Sequence, residues 1–90
     1  MLVLITYELK QPDRNYEPLY EAIKQCGTMW WHYMESVWVI RTSLTPSECF
    51  DRLHTNIDSN DYLFVVDITN QPRQGWLPKE AWNWLKQNDR

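Results

Sequence analysis

Ninety residues are enough for one domain with a single core and a modest stability margin, and no second domain is expected. Nine Lys and Arg stand against twelve Asp and Glu, a formal charge of −3, which argues against a general-purpose binder of nucleic-acid phosphates. Six Trp and five Tyr against two Phe give large contact area with a polar handle, so a partner surface is expected.

Leu2 to Leu9 is almost continuously apolar before a polar loop begins at Lys10, the pattern of a central strand buried on both faces. Its run Leu2-Val3-Leu4-Ile5 is too short for a signal peptide or a membrane span, no other stretch is long enough, and no membrane partner is expected. After the loop, a helix is predicted with Glu17 at its positive end, Pro18 in its first turn and Gly27 as its stop. Leu19, Ala22, Ile23 and Cys26 give it one core-facing stripe.

The chain is organised around Gly27 to Thr42, which holds half of the tryptophans and has no helical period. Its aromatic and β-branched residues suit a pleated, half-buried surface, and it reads as a hairpin turning at Glu35-Ser36, or as one long bent strand. Leu44-Thr45-Pro46-Ser47-Glu48 then carries every mark of a helix start: Thr45 as N-cap, Pro46 at N1, Glu48 reaching back, and Leu44 placed to staple onto Cys49. Cys49, Phe50, Leu53 and Ile57 are its expected buried face. Asp58-Ser59-Asn60-Asp61 is a turn, and Tyr62 to Ile68 a further strand.

A loop from Asn70 to Gly75 leads to a third helix beginning near Pro78. Leu77, Ala81, Trp84 and Leu85 share one side of it; Lys79, Lys86 and Arg90 share the other, with Trp82 on the border and not expected to be fully buried.

The order βαββαβ predicts an α+β, ferredoxin-like domain spanning residues 1–90, with residues 1–68 as its core and an extra C-terminal helix over 76–88. Two helices cover one face of the antiparallel sheet. The other face must meet the C-terminal helix, a second copy or a foreign partner, and a symmetric dimer is the commonest solution. The first and third strands are expected side by side and parallel, bringing Glu8 to Arg41 and Thr42 at one sheet end with Asp61 close by.

Glu8 is the residue whose role matters most. The plainer expectation is an ion pair with Arg41; the alternative is a divalent metal held with Asp61 or with the second Glu8 of a dimer. His32 and His54 have no partner at ligand spacing and are expected to be structural. Cys26 and Cys49 read as small buried hydrophobes without a basic neighbour, which fits a reducing cytoplasm. Lys79, Lys86, Arg90 and Trp82 offer a basic face with an aromatic, the minimal nucleic-acid contact, although such a face is more often merely solvated. Trp30, Trp31, Tyr33 and Trp38 are divided by alternation between the two faces of their strand, and one of those faces is the expected partner surface.

These residues resemble the CRISPR-associated protein 2 family and its relatives, small ferredoxin-like dimers that include the virulence-associated protein D ribonucleases. The likeness covers about the first 68 residues: the strand ending in Tyr7-Glu8, the glycine-terminated helix, Ser36-Val37-Trp38, the capped helix from Leu44-Thr45-Pro46, and the strand from Tyr62. The tail Gly75 to Trp82 looks instead like a feature of a smaller subgroup of uncharacterised bacterial proteins. The resemblance implies a homodimer that is either a metal-dependent nuclease or a structural part of a nucleic-acid complex. Two departures weaken the nuclease: the family's aspartate at the end of the first strand is Glu8 here, and the first helix offers only Lys24 as a cation. The expectation is therefore a cytoplasmic, homodimeric binding or scaffold protein with a protein partner. The alternatives are a nuclease using Glu8 with Mg2+, which is the one cofactor considered, and a non-catalytic nucleic-acid binder.

Overall fold

The structure, a computed structural model, describes residues 1–89. Its elements run β1 (Leu2–Glu8), α1 (Glu17–Cys26), β2 (Met29–Met34), β3 (Val37–Arg41), α2 (Pro46–Leu53), a 3₁₀ turn (His54–Asn56), β4 (Tyr62–Asp67) and α3 (Lys79–Asn88). The strands form one antiparallel sheet in the order β2-β3-β1-β4. Among the described residues no helix is long and apolar enough to cross a membrane.

β1 and β3 are neighbours, as expected, but antiparallel: Leu2 lies opposite Arg41 and Thr6 opposite Val37. Connectivity is the cause. α1 carries the chain back so that β2 runs in the direction of β1, and the turn at Glu35-Ser36 then reverses β3 into the space between them. Arg41 and Thr42 therefore sit at the Met1 end, where Thr42 N–H donates to the Met1 carbonyl at 3.0 Å. Glu8 lies at the other end, opposite Tyr62 of β4.

Alternation along β1 divides its apolar residues between two cores. Val3 and Ile5 join Trp38 and Ile40 of β3 under Leu19 and Ile23 of α1 and Cys49 and Leu53 of α2. On the opposite face Leu2, Trp31 and Val39 pack against Ala81 and Leu85 of α3. Each aliphatic side chain buried in this way contributes roughly 1.5–3 kcal/mol. The predicted stripe of α1 is the buried one. In α2, however, Cys49 and Leu53 hold the core while Phe50, about 100° further round the helix, is 43% exposed and stacked on His54.

The helix starts follow local chemistry. Thr45 and Glu48 form the full capping box of α2, with Glu48 N–H donating to Thr45 Oγ1 at 3.2 Å and Thr45 N–H to Glu48 Oε1 at 2.9 Å. α1 has no cap from its own Tyr16, but Asn15 Oδ1 accepts from Glu17 N–H at 3.0 Å. Pro78 is the N-cap of α3 with no capping side chain, and because a proline disfavours helical backbone in the residue before it, Trp76 and Leu77 stay outside the helix.

Gly27 ends α1 in extended rather than left-handed backbone, so its requirement is space. A Cβ there would lie 2.7 Å from the Arg41 carbonyl oxygen and 2.9 Å from Ile40 Cβ, both fixed in β3. Gly27→Ala is accordingly expected to destabilise the fold by about 2 kcal/mol, measured by urea denaturation, with the slope of the transition unchanged.

Candidate partner surface and sheet-end network

α3 covers only part of its sheet face. Beyond Leu4 and Val66, the paired positions Thr6–Phe64 and Glu8–Tyr62 continue that face, and Tyr62 and Phe64 are each 62% exposed. On the other side of β4, Phe50 lines the same recess as Tyr62 and Leu63. An apolar band thus wraps the β4 edge. That edge is regular, pairs on one side only, and reads Tyr-Leu-Phe-Val-Val-Asp with neither proline nor lysine. The opposite edge, β2, is blunted by a register shift between Trp31 and Met34.

The aromatic hairpin supplies core before surface. Trp31 is 3% exposed, with its Nε1 donating to the Ala81 carbonyl at 3.2 Å, and this bond ties α3 to the sheet. Trp38 is 2% exposed and donates through Nε1 to Tyr7 Oη at 2.9 Å. Trp30 and Tyr33 remain about half exposed. Burying the large rings removes apolar area from water, and their indole N–H groups can reach acceptors, so these two tryptophans are lost to a partner surface. Tyr62 and Phe64, by contrast, are large apolar side chains left exposed along the β4 edge. The signal available for them was the alternation of an edge strand, visible only once the strand order is known.

His32 lies flat on Trp38, with centroids 3.7 Å apart, and its Nε2 donates to the Glu35 carbonyl. His54 Nδ1 donates to the Phe50 carbonyl at the end of α2. Both rings thus contact their own chain at exposed positions. Cys26 and Cys49 are free and buried. Contact with Cys49 brings the Cys26 thiol down to about 7, against the effect of burial and with help from Arg52, so the cysteines do have a basic neighbour, contrary to expectation.

Of the expected basic face, Lys79 and Lys86 are exposed on α3, Arg90 lies outside the described residues, and Trp82 is half-buried against the α3 core. The fully exposed tryptophan is Trp76. It stands on a strap held by Arg73, whose Nη2 donates to Asp89 at 2.9 Å and to the Ile68 carbonyl at 2.8 Å.

The expected pairing of Glu8 with Arg41 is replaced by an ion pair with Lys10 at 3.1 Å. Asp61 is close in sequence to Tyr62, the pairing partner of Glu8, but its side chain turns to the other face and is buried. There it accepts from Lys10 N–H at 2.7 Å, Asp58 N–H at 2.9 Å and Tyr16 Oη at 2.9 Å. With Glu8 exposed on one face and Asp61 committed on the other, the fold does not bring these two carboxylates of one chain together, as a shared Mg2+ with several converging oxygen donors would require. Among the described residues no three His, Cys, Asp or Glu side chains cluster for a metal.

Burial would push the Asp61 carboxyl up, but the Lys10 and Asp58 amides and the Tyr16 hydroxyl outweigh it and hold it below the usual carboxylate range. The same contact, with burial as the larger cause, pushes the Tyr16 hydroxyl up. Asp61 therefore stitches the 10–16 loop to the turn before β4.

Compared with known proteins, the chain matches no family model and no curated protein.

Asp61→Asn sets an amide N–H₂ against a backbone N–H donor and is expected to cost about 2–3 kcal/mol at neutral pH. Because the folded carboxyl titrates below its unfolded value of about 3.9, its stabilisation is complete above that pH and fades as pH falls through the depressed folded value. The gap in Tm between the parent chain and Asp61→Asn should therefore be constant from pH 7 to 5 and close below about pH 4.

Proposed function

We propose that this chain is a homodimeric binding or scaffold module of ferredoxin-like topology, in which β4 of one protomer pairs antiparallel with β4 of its partner. The observation that carries this is the regular, unpaired β4 edge with Tyr62 and Phe64 exposed beside it. An edge of this kind templates pairing with another chain unless it is covered. Pairing with its own copy about a two-fold axis satisfies both edges in one contact and closes the assembly at two. Tyr62 and Phe64 of both copies then bury one another on the strip of sheet that α3 leaves open.

The ferredoxin-like assignment draws on the element order, the β2-β3-β1-β4 arrangement and the packing of α1 and α2 on one face, with α3 as the addition. The resemblance to the CRISPR-associated protein 2 family supports a small dimer of this topology. The acidic balance and the modest basic face, Lys79 and Lys86, favour a protein as the molecule such a dimer holds, with any nucleic acid reached through that protein. Free, buried Cys26 and Cys49 fit a reducing cytoplasm. A metal-dependent nuclease built on Glu8 and Asp61 has no geometric support, because the two side chains serve different faces.

Sedimentation equilibrium tests the dimer. The parent chain should sediment at twice its monomer mass at micromolar concentration. Phe64→Lys, an exposed substitution that leaves both cores intact, should weaken association by at least about 100-fold. A monomeric parent chain would refute the β4 pairing.

A further inference from the structure

Two ammonium groups of this chain are held in the same manner. Lys10 Nζ lies 3.1 Å from a Glu8 carboxylate oxygen and 4.5 Å from the centroid of the Tyr62 ring. Lys24 Nζ lies 3.4 Å from a Glu21 oxygen and 4.9 Å from the Trp30 ring. Each cation has a carboxylate on one side and an aromatic face on the other, where charge and ring quadrupole both attract it.

A third set of carboxylate and rings stands at the Glu8 end of the sheet. Tyr7, Tyr16 and Tyr20, with Glu8 and Glu35, line a cleft of about 600 Å³, and no lysine, arginine or histidine lines it. Among the described residues the Glu35 carboxylate has no ion-pair partner, in contrast to Glu8 and Glu21.

The wall is built in advance. The Tyr7 and Tyr20 centroids are 6.1 Å apart, Tyr20 stacks on Trp38 at 6.2 Å, and Trp38 Nε1 is bonded to Tyr7 Oη. Tyr7 Oη donates to the Glu35 carbonyl at 3.2 Å, and His32 donates to the same oxygen at 3.0 Å, so the turn that carries the carboxylate is tied from two sides. Burial pushes the Tyr7 hydroxyl up, against the Trp38 bond and with Tyr20 and Glu35 adding to it, so the Tyr7 ring stays neutral. Little ordering is left for a ligand to impose.

We propose that this cleft binds the cationic side chain of a basic segment in a partner protein, arginine ahead of lysine, with Glu35 as its carboxylate and Tyr7 and Tyr20 as its rings. A guanidinium is planar, is weakly hydrated, stacks on a tyrosine face and offers a carboxylate two donors at once, whereas an ammonium is a compact, strongly hydrated charge. The chain's negative charge steers such a segment toward it. The cleft lies within one protomer, so it is independent of β4 pairing and is tested separately from it.

The test is a titration of ¹⁵N-labelled protein with N-acetyl-Gly-Arg-Gly-amide, with the corresponding glutamate peptide, and with spermidine. The arginine peptide should shift the amide signals of Tyr7, Tyr20, Glu35 and Ser36 saturably, and the glutamate peptide should not. Glu35→Gln, on an exposed turn, should weaken the arginine peptide about tenfold, whereas Glu21→Gln should leave it unchanged. Equal affinity in Glu35→Gln, or shifts spread over all carboxylates without saturation, overturns the site. Spermidine binding without peptide binding overturns the protein partner as its ligand.

Discussion

β1 has to be covered twice. Leu2 to Ile5 is unbroken apolar sequence, so consecutive side chains point to opposite faces of the sheet and each face requires its own layer. α1 and α2 supply the layer over Val3 and Ile5, and α3 supplies the layer over Leu2. The two helices on the first face follow from the crossovers that place β3 and β4 on either side of β1. The second layer is a single ten-residue helix, about 15 Å long, anchored by the indole of Trp31 on the carbonyl of Ala81. It reaches β2, β3 and part of β1. The strip along β4, with Tyr62 and Phe64, is what one short helix leaves uncovered, and that shortfall is the physical origin of the proposed interface.

The polar chemistry at the Glu8 end of the sheet serves structure on one side and offers a site on the other. Asp61 gathers the amides of Lys10 and Asp58 and the hydroxyl of Tyr16, so the loop leaving β1 and the turn entering β4 are fixed together. Three donors hold this carboxylate in its ionised form against the effect of burial. Beside it, Tyr7, Tyr20 and Trp38 form a connected aromatic wall, in which Trp38 Nε1 donates to Tyr7 Oη and Tyr7 Oη donates to the Glu35 carbonyl. The Glu35 carboxylate, on the residue that borders this cleft, has no ion-pair partner among the described residues, and on the proposal above it receives the incoming cation. Rigidity behind and charge in front are what separate a binding cleft from a solvated dent.

Much of the fold was legible because it is written in local chemistry. The capping box at Thr45 and Glu48, the turn at Glu35-Ser36 and the stripe of Leu19, Ile23 and Cys26 all lie where short-range rules put them. Gly27 was legible as a stop, though its reason is the nearness of β3, which no local pattern shows. The direction of β3 relative to β1 was misread, because it depends on inserting a hairpin strand between two strands that run the same way. That single error carried Arg41 to the wrong end of the sheet as a partner for Glu8. The site residues were less legible than the elements. Trp31 and Trp38 look like surface anchors by composition, yet their burial is set by which helices lie above them. Tyr62 and Phe64 look like ordinary strand residues until β4 proves to be an edge. Glu35 looks like a plain turn residue until Tyr7 and Tyr20 arrive from β1 and α1 to meet it.

The central claim is that the β4 edge is covered by a second copy, and hydrogen–deuterium exchange of the β4 backbone tests it most directly. Amides of residues 62–67 that do not bond to β1 are exposed in a lone protomer and hydrogen-bonded in the dimer. Their exchange should therefore slow markedly as protein concentration is raised from nanomolar to micromolar, while the β2 edge exchanges at the same rate throughout. Fast exchange along β4 at every concentration would contradict the account.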